Sequence, residues 1–190
     1  MSEAKDFLNI YAEETPNPET MKFVFNKMIL PEDAIDFPTK ERAQLNPLAK
    51  SLFEFSFVSG VFIMNNFVTI TKYPGAEWHE LIPIVKEFLK AYVEAGEPIV
   101  IERSAPANYE GPHSVVVAQI IEILDTYIKP AVETDGGMIS FKSFDEGVVT
   151  VELKGSCSGC PSSTITLKRG IEGMLTKMVP EVKEVVAEAV

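Results

Sequence analysis

Gly155-Ser156-Cys157-Ser158-Gly159-Cys160-Pro161 is the stretch from which the rest of this chain is read. Two thiols three positions apart can ligate one metal centre. The glycines, serines and proline around them are loop residues, not the surroundings of two small core side chains. Pro161 suits the first position of a helix, which puts Cys160 at or next to the N-cap. The unpaired N–H groups and positive end of that helix favour a thiolate over a thiol. Ser162, Ser163 and Thr164 add hydroxyl donors. Gly155 and Gly159 let the backbone approach the sulfurs and donate N–H bonds, as the sulfurs of an iron–sulfur cluster require.

Counting ligands sharpens this. An all-cysteine iron–sulfur cluster needs four thiolates, and a structural zinc site needs four ligands. The chain has two cysteines and two histidines, His79 and His113, both upstream and without metal-ligand spacing. The simplest completion is two chains, each giving Cys157 and Cys160, with the centre held across a two-fold axis. A centre held between subunits can be released by opening the interface, which suits a carrier. On spacing alone two alternatives stay open: a thioredoxin-like dithiol oxidoreductase and a zinc-binding interaction module. Against the first, the cysteines follow two antiparallel strand candidates, with no strand–helix–strand context in sight. Haem attachment of the c type needs histidine at 161, where Pro161 stands.

Outward from the cysteines, a helix is expected from Pro161 to about Met178, with Leu167, Ile171, Met174, Leu175 and Met178 inward. Pro180 stops it, and Val182, Val185 and Val186 read equally as a last strand or a short helix. Upstream, Val148–Leu153 alternates as a strand with one buried face. It pairs with Met138–Phe144 through Asp145-Glu146-Gly147. Asp135-Gly136-Gly137 reads as a turn that ends a helix and starts a strand. Val117, Ile120, Ile121, Leu124 and Ile128 form the stripe of that helix, with Pro130 as its stop.

The stretch Ala95 to His113 holds Gly96, Pro98, Pro106, Gly111 and Pro112 and reads as a linker, with Ile99–Ile101 as a short edge strand. The first half is mixed. Phe7–Tyr11 and Met21–Phe25 are strand candidates separated by the loop Thr15-Pro16-Asn17-Pro18. Pro47–Phe55 is a short helix capped by Asn46. Phe57–Met64 and Phe67–Lys72 make a hairpin turned by Asn65-Asn66. Glu77–Val93 is an amphipathic helix, with Pro83 near its first turn. Phe53, Phe55, Phe57, Phe62 and Phe67 read as core, Trp78 as a packed aromatic and His79 as a surface histidine. The expected fold class is α+β: two small domains, each a small, mostly antiparallel sheet packed with helices, over 1–95 and 113–190, joined by a linker at 96–112.

The 190 residues carry 17 Lys and Arg against 28 Asp and Glu, a net charge of −11. Both halves are acidic, which argues against nucleic acid, whose phosphates need clustered cations, and against an anionic membrane surface. No apolar run approaches a bilayer span. The first residues read neither as a secretory signal nor as a transit peptide. Two cysteines cannot staple a secreted fold. The expectation is a cytoplasmic protein, or a mature mitochondrial matrix form whose presequence is gone.

With these residues in view, the chain resembles the NifU/Nfu iron–sulfur cluster scaffold family. Gly155–Pro161 with Ser162 and Thr164, then Leu167–Ile171 and Val179–Val182, is similar to the family's C-terminal CxxC domain. Lys129-Pro130 and Asp135-Gly136-Gly137 match its entry. Thr15–Pro18, Lys22-Phe23, Asp36-Phe37-Pro38, Pro47-Leu48-Ala49, Leu52-Phe53, Gly60-Val61 and Val68–Lys72 resemble the Nfu N-terminal domain. Met138 departs from the acidic residue common there, and Lys129 from arginine. The resemblance implies a carrier, not an enzyme. It would bind a labile cluster, most often 4Fe-4S and otherwise 2Fe-2S, between two subunits on Cys157 and Cys160. Its partners would be upstream cluster-assembly proteins and apo iron–sulfur clients, with the N-terminal half expected to recognise clients.

Overall fold

The computed structural model describes residues 7–99, 115–157 and 161–189. They fall into two compact units, Met1–Glu14 with Glu19–Ser104, and Thr15–Pro18 with Ala105–Val190. Each unit has its own sheet and its own apolar core, giving the expected α+β class. Most of the expected linker, including Val100, Ile101 and His113, lies outside the described residues.

In the first unit five strands make an antiparallel sheet in the order β1-β2-β5-β4-β3. They are β1 (Ile10–Glu14), β2 (Thr20–Phe25), β3 (Leu30–Phe37), β4 (Val58–Asn65) and β5 (Phe67–Lys72). The hairpin at Asn65-Asn66 forms as read: Met64 pairs with Phe67, and Asn65 takes φ +48°, which asparagine tolerates. Alternate residues of one face, among them Phe23, Phe25, Ile63, Val68 and Ile70, enter a core shared with Leu48, Leu52, Val85 and Leu89. Those last four come from α1 (Pro47–Leu52) and α2 (Trp78–Glu94). The Asn46 side chain caps α1 by accepting from the Ala49 N–H at 2.8 Å, with Pro47 opening the helix. Phe53, Phe62 and Phe67 are buried, and half-buried Phe55 stacks on Phe57 at 5.4 Å. Trp78 meets the Phe23 ring edge-on at 6.5 Å, and His79 is exposed.

Three expectations change here. β1 begins at Ile10, leaving Phe7 75% exposed outside it. Pro83 is the sixth residue of α2, and its solvent-facing position leaves the orphaned His79 carbonyl open to water. Strand β3 has no counterpart in the sequence reading, because Pro31, Asp33 and Asp36 are poor strand formers. They are tolerated because β3 lies at the sheet edge and its pairing with β4 breaks register between Leu30 and Ala34.

The second unit has the strand order β6-β7-β8, from β6 (Gly137–Asp145), β7 (Val148–Gly155) and β8 (Glu184–Ala189). Glu146 and Gly147 connect β6 to β7 with φ of +48° and +94°, the signs of a type I′ hairpin turn. The helices are α3 (Val115–Ile123), α4 (Lys129–Thr134) and α5 (Pro161–Met178). Val149, Val151 and Leu153 point from β7 into a core with Ile120, Leu124, Ile171, Leu175 and Val185.

Pro130 does not stop the upstream helix. Between α3 and α4 the chain stays helical through Leu124–Ile128 in a π-type turn, where the Lys129 N–H donates to Leu124 O five residues back. The wider turn absorbs the missing N–H of Pro130, so the helix resumes on the same side of the sheet. Ile123 takes a buried place while Ile121 is half-exposed. At the other end Met178 is 48% exposed rather than inward. The final segment resolves as strand β8, and it pairs with β7 in parallel. β7, α5 and β8 are therefore a strand–helix–strand crossover around the cysteine loop, the context the sequence reading found missing. Parallel pairing needs a long crossover, and α5 is that crossover.

Candidate functional site

The cysteine loop leaves the carboxyl end of β7 and enters α5, the end at which β-α-β units present loops to ligands. Gly155 closes the strand at φ +68°, a left-handed conformation that favours glycine. Pro161 opens α5 as read. Of the two expected ligands, Cys157 is placed. Cys160, with Ser158 and Gly159, lies outside the described residues, as do the side chains of Ser162, Ser163 and Thr164.

Cys157 is 8% exposed and belongs to the apolar core of its unit. Burial pushes its thiol above the ordinary value. The Ser156 hydroxyl, 3.8 Å from Sγ, works against this, and the negative charge of Asp135 adds to it. The reading that the flanking glycines, serines and proline keep the pair out of a core is thus overturned for this sulfur, and desolvation disfavours its charged form. The thiolate expected at the helix N-terminus is that of Cys160, outside the described residues.

Against Cys157 lies the turn at Asp135-Gly136-Gly137. That turn does what was read from it. The Asp135 N–H donates to Ala131 O, Gly136 takes φ +80° to end α4, and Gly137 starts β6. It also reaches the cysteine loop. Gly137 pairs directly with Gly155 across the β6–β7 ladder. A Cβ on Gly137 would stand 2.8 Å from Cys157 Sγ and 2.8 Å from Lys154 O, closer than real Cβ atoms come to anything. The Ser156 N–H donates to Gly136 O at 3.3 Å, and the Ser156 hydroxyl donates to the Asp135 carbonyl oxygen. Ser156 is 2% exposed.

Gly137 and Ser156 thus border the candidate site, a place the sequence reading did not give them. One signal was available: Gly137 is a strand glycine without a positive φ, and such a glycine marks close approach by another group. Among the described residues no cluster of three or more His, Cys, Asp or Glu side chains could hold a metal. His79 lies in the other unit, beside Glu80 on α2. No helix of the described residues is long and apolar enough to cross a membrane.

Two family descriptions match this chain in order. Residues 10–96 match "Scaffold protein Nfu/NifU N terminal", and residues 120–186 match "NifU-like domain". The human protein named "NFU1 iron-sulfur cluster scaffold homolog, mitochondrial" is 40% identical over 182 residues, covering 94% of this chain and 71% of its own length. The Drosophila willistoni protein of the same name is 41% identical, covering 93% of this chain and 62% of its own. A solved NifU-like protein from Saccharomyces cerevisiae aligns with 54% of this chain and 92% of its own at 20% identity and a TM-score of 0.47. The order of both descriptions along the chain and the identity to these relatives agree: the chain belongs to the Nfu/NifU family of iron–sulfur cluster scaffold proteins.

Proposed function

We propose that this chain is a cluster carrier rather than an enzyme, with Cys157 and Cys160 as its ligands and a 4Fe-4S cluster as cargo. The observation that carries the reading is the ligand count. A chain of this scaffold family has two cysteines, three positions apart, where a cluster needs four thiolates. Two copies complete the set, so cluster binding makes the homodimer. Each thiol gives up its proton on ligation. The cargo leaves by ligand exchange, in which thiolates of an apo client displace Cys157 and Cys160 from iron in turn. Iron and sulfide come from upstream assembly proteins. The N-terminal domain spans 1–95, the linker 96–112 and the cluster-binding domain 113–190.

The β-α-β context makes the dithiol oxidoreductase a better-placed rival than the sequence suggested. Burial of Cys157 weighs against it. An oxidoreductase must bring its first thiolate onto a client sulfur, whereas a client of a carrier attacks the metal, and the ligand sulfur can stay covered. The thiols must remain reduced, so the chain works in the cytoplasm or the mitochondrial matrix. The word "mitochondrial" in the names of its relatives favours the matrix.

Anaerobic reconstitution with iron and sulfide tests the reading. The expected product has about four irons and four sulfides per two chains, since four cysteines hold one cluster. It absorbs broadly in the visible and has the solution mass of a dimer. Cys157→Ser and Cys160→Ser each lose the colour. A colourless metal-free monomer whose two thiols form a readily reduced disulfide would replace the carrier with the oxidoreductase.

A further inference from the structure

The segment that reaches Ser156-Cys157 from upstream in the chain supplies no thiol. Three consecutive backbone positions of the 135–137 turn touch Ser156-Cys157: the Asp135 carbonyl through the Ser156 hydroxyl, the Gly136 carbonyl through the Ser156 N–H, and the bare Cα of Gly137 against Sγ. Chain reversal does not require glycine at 137, which sits in extended strand backbone without a positive φ; the close approach of Lys154 O and Cys157 Sγ does. Nor does chain reversal require a serine, 2% exposed, tied to the turn by both its N–H and its hydroxyl. Both features are accounted for if the turn fixes where the Cys157 sulfur stands.

We propose that Gly137 and Ser156 are positioning residues for Cys157. Gly137 provides a side-chain-free seat for the sulfur, and Ser156 locks the loop onto the turn. The proposal rests on the carrier reading for its purpose, but not for its geometry. A cluster shared by two chains is held by few bonds, so the sulfurs must be preset. A ligand that wanders by an ångström lowers the chance that all four engage together. The 135–137 turn does this for Cys157 from a separate strand, so the loop is not left to order itself.

The test uses the full chain. In a Cys160→Ser background Cys157 is the only cysteine, and its alkylation by iodoacetamide reads its shelter in the metal-free protein. Gly137→Ala is expected to speed alkylation roughly tenfold, because the new methyl displaces the sulfur, and it also presses on the Lys154 carbonyl of the β7 backbone. With Cys160 present, the same substitution is expected to more than halve iron uptake. Val149→Ala is the control. It thins the core of the same unit six residues back along β7, about 20 Å from Gly155 at the usual strand rise. It should lower Tm while leaving thiol rate and iron uptake near wild type. If Gly137→Ala fails to fold, Ser156→Ala decides instead. It adds no volume, removes the hydroxyl tie, and should speed alkylation about fivefold, the worth of one hydrogen bond. A deciding variant whose thiol reacts no faster than the Val149→Ala control overturns the proposal. Failure of the wild-type chain to take up any cluster would defeat the carrier reading, while the alkylation comparison would still decide the role of the turn.

Discussion

Tyr92 shows how one side chain couples local chemistry to the fold. Its hydroxyl donates to the Pro98 carbonyl at 2.9 Å, holding the chain that follows α2. Partial burial, and then the neighbouring Glu97, push its phenol above the ordinary value. The unfolded chain therefore releases this proton first, near pH 10. Above that pH the unfolded state holds fewer protons, so stability falls as pH rises. Urea unfolding at pH 9 and pH 11 should show a decline that is smaller in Tyr92→Phe, and absorbance at 295 nm should show one tyrosine titrating late. Residue-scale features were legible where a side chain acts on its own neighbours. Asn46 followed by Pro47 announces a helix start, and the observed cap is that one. Cys157 was legible as a candidate ligand but not as a core residue, because its burial comes from contacts with distant segments, Gly137 twenty residues away among them.

At the scale of elements, α5 carries two glycines mid-helix, Gly170 and Gly173, with nothing within 4 Å of where a Cβ would stand. Neither has a positive φ, so alanine fits both. Each glycine costs about 0.5–1 kcal/mol against alanine in a helix. Gly170→Ala and Gly173→Ala should each raise unfolding stability by about that much in urea titration, and a loss instead would mean that the two positions are not open. The elements that escaped the sequence share a cause. β3 hides because edge strands accept Pro31 and acidic residues that a central strand would reject. The helix continuing past Pro130 hides because a π-type turn removes the register conflict that makes proline a stop. β8 was ambiguous because so short a run of valine, alanine and glutamate satisfies either period. Only the presence of β7 beside it settles the choice.

At the scale of the whole molecule, the chain joins a unit that holds the cysteine loop to one whose described residues include no His, Cys, Asp or Glu cluster that could hold a metal. The first unit is proposed to recognise clients. A chain lacking residues 1–110 should then still assemble a cluster on reconstitution but transfer it more slowly to apo-proteins. Transfer at the full-length rate to several clients would remove that role. The sequence by itself determined the α+β class, the hairpins, the long amphipathic helices and the position of the cysteine pair. These follow from apolar period, turn residues and spacing, all of which act over a few neighbours. Only the tertiary structure decided that the last strand runs parallel to β7, which turns the cysteine loop into the βα connection of a crossover. It alone decided that Cys157 is buried, and that a glycine far upstream lies against its sulfur. Those outcomes depend on which strands pair and on how closely two backbones approach. That information lies in contacts between distant segments and leaves no mark in local sequence beyond a glycine where none is needed for the turn.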